Sequence, residues 1–266
     1  MTTVCVIPAR HASRRFPGKP LAPLTGATGQ ARTLIERSWR AAVRADRFDA
    51  IHVATDDARI AEVARGFGAD VLMTSAACRN GTERCAEALA LLGPEVETVV
   101  NLQGDAPLTP PRFLDAVVDG LRADGDAALA TPVLRCDGQA LAALRADRAA
   151  GRAGGTTVVA DGAMRALYFS KEVIPFTAGA YPPDAPTPVF LHVGVYAYRP
   201  RALRAYPGWP AGPLERREGL EQLRFLETGH RVACVEVSAR GRTFWEVNNP
   251  GDIPRVEAML RDMGLP

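Results

Sequence analysis

Short apolar runs alternate with segments of helical period along the first half of the chain, and no other feature constrains the fold as much. "TVCVIPA", "AIHVATDD", "DVLMT", "TVVNLQGD" and "AALATPVLR" read as strands. Between them, "TLIERSWRAAVRA", "ARIAEVARGFG", "GTERCAEALALLG" and "PRFLDAVVDGLRA" space their apolar residues as helices do. Strands separated by helices of about 10–13 residues imply βαβ units and a mainly parallel sheet flanked by helices. In such α/β sheets ligands sit at the carboxyl ends of the strands. Three chemically loaded stretches fall there: Pro8–Lys19, Asp56–Asp57 and Gln103–Asp105.

The second half reads differently. "TTVVADGAMRALYFSK" resembles a hairpin turning at Asp161-Gly162, and "TAGAYPPDAPTPVF" is a proline-rich surface excursion. "LHVGVYAYRP" reads as one strand, "PLERREGLEQLRFLETGH" as one helix, "RVACVEVS" as a strand and "PGDIPRVEAMLRDMG" as a helix. The expected organisation is one domain over 1–266 with an inserted antiparallel lobe over about 133–208. No internal repeat or low-complexity tract is visible.

A net charge of +2 gives no global case for binding nucleic acid or membrane, so any positive potential must be local. No run approaches ~20 apolar residues, and no charged segment precedes a long apolar one. The five cysteines are scattered without CxxC or zinc spacing, which suits reduced thiols in a cytoplasmic protein.

The densest local positive charge is "IPARHASRRFPGKPL", with Arg10, Arg14, Arg15 and Lys19 after a strand. A strand-to-loop junction of this kind can cradle phosphate through backbone N–H groups and a guanidinium fork. Residue types alone leave that reading level with a solvated basic loop. Neither a Walker loop nor a GxGxxG fingerprint is present.

The same stretch resembles the IPARxxSxRxPGKPL signature of sugar nucleotidyltransferases, and within them the 3-deoxy-manno-octulosonate cytidylyltransferase (CMP-Kdo synthetase) family. Further blocks follow in order: "VATDDARIAEVARGFGADVLMT", "RNGTERCAEA", "VNLQGDAPL", "ALYFSKEVIPF", "HVGVYAYR", "PLERREGLEQLRFLETG" and "EVNNPGDI", together spanning about residues 4–258. The resemblance implies a Rossmann-like nucleotidyltransferase fold. It also implies an enzyme of lipopolysaccharide biosynthesis that joins CTP to an acidic sugar and releases pyrophosphate, with a homodimeric habit.

By that resemblance Pro8, Ala9, Arg10, Arg15 and Lys19 cradle the nucleotide, while Arg14 stands at a variable position. Asn80, Gly81 and Thr82 would face base and ribose, Gly81 permitting close backbone approach; a plain helix N-terminus with Thr82 near the cap reads equally from the residues. Gln103 would touch base or sugar. Asp105 matches the family's metal ligand for Mg²⁺, or Mn²⁺ in its place; by residue type it is also a turn-forming Asp. Arg15, Lys19 and Asp105 form the implied catalytic set. His192, Tyr196 at i+4 on the same strand face, Glu221 and Gln222 are placed at the acceptor, against the alternatives of a structural histidine and an ordinary polar helix face. Asp56 and Asp57 read as loop and cap residues supporting the site.

Four positions depart from the pattern. Ala106 replaces a glutamate, Asn80 a serine, Thr157 a lysine, and Asn248 an aspartate expected to help hold metal. The departures fit a diverged paralogue acting on a different acid, such as a nonulosonic or specialised-metabolite acid, or one with atypical metal demand or reduced activity. The leading reading is Kdo or a close relative as acceptor, and a non-catalytic nucleotide-binding relative stays open.

Overall fold

The computed structural model describes residues 2–12, 16–239, 247 and 249–266. In chain order the elements are β1 (Thr2–Ala9), β2 (Pro23–Thr25), β3 (Ala31–Thr33), α1 (Leu34–Val43), β4 (Ala50–Thr55), α2 (Ala58–Gly66), β5 (Asp70–Met73), α3 (Gly81–Leu92), β6 (Val96–Leu102) and α4 (Pro111–Ala123). Then follow β7 (Ala127–Asp137), α5 (Gly138–Ala149), β8 (Thr157–Ala160), β9 (Ala166–Ser170), β10 (Pro186–His192) and β11 (Val195–Tyr198). The last are α6 (Pro200–Ala205), α7 (Pro213–Glu218), α8 (Leu223–Glu227), β12 (Arg231–Glu236) and α9 (Ile253–Asp262).

The chain divides into two compact units: Met1–Asp115 with Tyr198–Tyr206 and Ala239–Pro266, and Ala116–Ala197 with Pro207–Ser238. In the first, β5, β4, β1 and β6 lie side by side and all pair in parallel. β1 is buried on both faces, with Cys5, Val6 and Ile7 fully enclosed, and that is why it reads as an unbroken apolar run. β2 and β3 form a separate antiparallel pair. Side-chain caps start α1, α2 and α3: Thr33 accepts from the Glu36 N–H, Asp57 from Arg59 and Asn80 from Glu83.

In the second unit β12 runs parallel to β7, while β10 pairs with β7 and β8 antiparallel, and β8 with β9 antiparallel. The mainly parallel, helix-flanked sheet expected from the alternation is present, with mixed pairing in this second half.

Several local expectations are corrected. "PLERREGLEQLRFLETGH" is two helices, because Gly219 closes α7 in the left-handed conformation at φ 65°. "LHVGVYAYRP" is two strands, β10 and β11, separated at Val193-Gly194. The hairpin turn occupies residues 161–165, where Asp161 Oδ1 accepts from the Ala163 and Arg165 N–H groups and Met164 takes φ 56°. α5, absent from the sequence reading, is rich in Ala and Arg and is capped by Asp137. Among the described residues no helix is long and apolar enough to cross a membrane. All five cysteines are free.

Candidate active site

The first unit brings the ends of β1 and β6 together. Their parallel register runs to Val6 opposite Asn101, so Pro8 and Ala9 emerge beside Gln103 and Gly104. A Cβ on Gly104 would stand 3.1 Å from the Pro8 carbonyl oxygen, so glycine permits this close approach. Ser38 Oγ, from α1, donates to the Gly104 carbonyl at 3.2 Å.

Beyond β1 the chain turns at Pro17-Gly18. Gly18 is left-handed at φ 69°, and its N–H returns to the His11 carbonyl at 3.0 Å. That turn delivers Lys19, whose Nζ donates to Asp105 Oδ2 at 2.6 Å and to the Val247 carbonyl at 3.1 Å. Val247 closes the arrangement by donating its N–H to the Asp105 carbonyl at 2.9 Å. Lys19 and Asp105 retain side-chain exposures of 17% and 24%, so a ligand can still reach both. Arg10 is exposed and donates weakly to the Arg79 carbonyl at 3.4 Å. Arg14, Arg15 and Asn248 lie outside the described residues.

α3 supplies the neighbouring wall. Asn80, not Thr82, is its N-cap. Thr82 is fully buried and shares a 2.9 Å hydrogen bond with the Tyr198 hydroxyl, while Asn80 Nδ2 donates to Tyr206 at 3.3 Å. A Cβ on Gly81 would lie 3.1 Å from Gln103 Nε2, so glycine leaves room for that carboxamide. Gln103 in turn donates to buried Asn101 at 3.4 Å, whose Nδ2 has no hydrogen-bond partner among the described residues.

The sequence reading gave Asn101 no role and took Arg84 only as part of the "RNGTERCAEA" block expected to face base and ribose. Arg84 is 3% exposed and sits 3.1 Å from Asp56. Its signal was available: an arginine three residues after Gly81, on a helix whose first turn is buried, needs an acid, and Asp56 ends the adjacent strand. Asp57 is the cap of α2, as expected of it.

The second unit holds the residues expected at the acceptor. His192 and Tyr196 do not share one strand, since the break at 193–194 separates β10 from β11; their rings nonetheless lie 5.5 Å apart. His192 also stands edge-on to Phe169 at 5.2 Å. Part of the residue is exposed, yet Nε2 is sealed from solvent and unbonded among the described residues, and burial pushes the imidazole down to about 3. Tyr196 donates to Gln222 Oε1 at 3.3 Å, and Gln222 Nε2 is likewise buried without a partner. Gln222 is the N-cap residue of α8, so Glu221 and Gln222 lie in the turn after α7 rather than on a helix face. That turn is braced by Arg224, 2% exposed, which grips Glu215 with Nε at 2.7 Å and Nη2 at 2.5 Å. Buried polar atoms left unpaired cost about 1–3 kcal/mol each, so His192 and Gln222 suit a polar guest or water.

Chemically, the first unit offers one lysine cation and one carboxylate at the carboxyl edge of a parallel sheet. No group of three metal-binding side chains occurs among the described residues. One carboxylate is nevertheless what Mg²⁺ takes when phosphate oxygens and waters complete its six ligands, so Asp105 fits it.

Two of the departures have their own packing. Ala106 is fully enclosed, its N–H donating to Gln103 and its carbonyl accepting from Thr109 Oγ1. Thr157 is 1% exposed; its hydroxyl donates to the Glu172 carbonyl at 2.6 Å and accepts from the Ile174 N–H at 3.2 Å.

A family profile described as Cytidylyltransferase matches residues 4–232. The chain is 44% identical over 264 residues to a 3-deoxy-manno-octulosonate cytidylyltransferase of Maricaulis maris, covering 99% of each. It is 41% identical to the Zea mays protein of that name, covering 98% of this chain and 82% of the other. Its fold matches a solved CMP:2-keto-3-deoxy-manno-octonic acid synthetase complexed with CTP, with TM-score 0.83, 30% identity, and 99% and 100% of the two chains covered.

Proposed function

The chain belongs to the cytidylyltransferase family, and from that premise we propose that it joins CTP to 3-deoxy-manno-octulosonate, giving the CMP-sugar and pyrophosphate. The observation that carries the reading is the Lys19–Asp105 pair at the carboxyl edge of β1 and β6. It sets a cation for phosphates beside a carboxylate for a metal.

The sugar's anomeric hydroxyl attacks the α-phosphorus. A new P–O bond forms, the bond to the β-phosphate breaks, pyrophosphate leaves, and the hydroxyl proton passes to solvent. No covalent enzyme intermediate is required, so the protein's work is alignment and charge neutralisation. Lys19 exchanges Asp105 for the phosphates of CTP, with Arg10 and Arg15 beside them. Pro8, Ala9 and the α3 N-terminus at Asn80, Gly81 and Thr82 contribute backbone surface, and Gln103 reads base or sugar. Asp105 would hold Mg²⁺, with Asn248 as a neutral second ligand; the ion would supply charge neutralisation at the triphosphate. His192 Nε2 and Gln222 Nε2, both sealed and unpaired, suit the hydroxyls and carboxylate of the acceptor, with Tyr196 and Glu221 alongside.

A second reading is the same reaction on a different acid. It is favoured by Ala106 and Thr157, whose neutral side chains are bonded or packed where the family signature carries charge. A pyrophosphate-release assay with CTP and Mg²⁺ separates the two. Release with Kdo supports the first reading; release only with another 2-keto sugar acid replaces it with the second; no release with any acid overturns both.

A homodimer built through the second unit is part of the proposal. Phe176, 90% exposed, and Leu167, 60% exposed, are apolar surface that a second copy would cover. A cytoplasmic setting is supported by the five free thiols.

A further inference from the structure

We propose that the arginine-lined pocket between α1, the 107–111 segment and α9 is a second anion site, built for a phosphate-class dianion. It is separate from the Lys19–Asp105 site and does not depend on the transfer reaction. The pocket encloses about 60 Å³, several times the ~10–15 Å³ that a single water needs. Arg37, Arg40 and Arg44 fall at i, i+3 and i+7 on α1 and its C-cap, so they share one face, and Arg32 approaches from β3.

Charge is unbalanced there. Against four guanidinium groups stand Glu36, which Arg32 and Arg40 approach at 3.6 and 2.8 Å, and Glu257, which is occupied with the Thr25 N–H at 2.7 Å. Two positive charges remain, and a carboxylate at Pro266 would still leave a positive surplus. Arg37 is 6% exposed. Its two terminal nitrogens donate at 2.6 Å to the Pro266 and Leu24 carbonyls, but its Nε has no hydrogen-bond partner among the described residues; the Nε of Arg32 is the atom that faces Glu36 at 3.6 Å. Burial and the Arg32 charge push Arg37 down to about 10 against the opposing pull of Glu36 and Glu257, so it stays protonated at neutral pH.

A buried cation is stable only when paired. Here the fixed acids fall short, and the fork of each arginine matches phosphate oxygens. Arg44 is exposed at the rim, where an incoming anion first meets the cluster. Leu108 and Leu260, which line the same pocket, are apolar and give the surplus charge no hydrogen-bonding partner.

The test is calorimetric titration of inorganic phosphate, and separately of glycerol 3-phosphate, into the full chain, Arg44→Glu, Arg44→Lys and Lys19→Ala. The expected result is a site retained in Lys19→Ala, weakened at least tenfold in Arg44→Glu and only slightly in Arg44→Lys. Tighter inorganic phosphate assigns the free ion, and tighter glycerol phosphate assigns a monoester; both support the site. Absence of binding at millimolar concentration, or binding lost in Lys19→Ala and unchanged in Arg44→Glu, overturns it. Failure of catalysis would show instead in the pyrophosphate assay, which this titration does not use.

Discussion

Single residues set the sharpest expectations. Asp105→Asn should cut pyrophosphate release at saturating Mg²⁺ at least tenfold, about 1.4 kcal/mol of barrier, with an unchanged melting temperature. A variant keeping more than a tenth of the rate would remove Asp105 from metal binding. Ala106→Glu should cost about 2 kcal/mol or more of stability in urea unfolding, because the site is fully enclosed and a carboxylate there has no partner. Restoring the family's glutamate is therefore expected to harm the fold, and an unchanged midpoint would show that the Gln103–Thr109 turn can open. Asp105 was legible because it follows glycine at the end of an apolar strand. Asn101 was not: it accepts from Gln103 only two positions on, but an asparagine inside an apolar run carries no mark of that bond in its residue type. The reason for Thr157 was equally hidden: its hydroxyl serves residues 172 and 174, fifteen and more positions away in sequence.

At the scale of elements, α1 to α4 and the strands between them were readable because apolar period and caps agree along each segment. α7 and α8 were merged because helical spacing continues across the break, and only the left-handed Gly219 stops it. Their junction depends on the Arg224–Glu215 pair. Arg224→Ala should lower stability by about 3–5 kcal/mol, since it strands a nearly buried carboxylate. Replacing both partners with well-packed apolar residues should restore most of that loss, and a double variant as weak as the single would mean packing, not charge, was lost. Imidazole burial sets a further expectation at the end of β10. His192 is pushed down to about 3, below its ordinary value near 6.5, so the unfolded chain binds the extra proton between those two pH values. Stability contributed by the neutral ring is whole above pH 6.5 and is lost as pH falls toward 3. The loss at pH 5 is on the order of 1 kcal/mol once the half-buried state of the residue is allowed for. The melting temperature should drop between pH 7 and 5, and His192→Asn should flatten that slope.

For the molecule as a whole, alternation in the first half foretold the parallel sheet of β5, β4, β1 and β6, while the second half mixes pairings that strand propensity cannot assign. Assembly is measurable directly: light scattering at micromolar concentration should give twice the 28.4 kDa chain mass, and Phe176→Asp should return it toward one copy. A monomer in the unaltered chain would remove the dimer proposal. The clamp on Lys19 has a consequence for biosynthesis. Lys19 and Asp105 leave the ribosome early, but Val247, which accepts from one and donates to the other, follows 228 residues after Lys19. Translation therefore delivers Lys19 228 residues before Val247 can join the pair, so in a nascent chain the two charged partners must first form their contact without its third member.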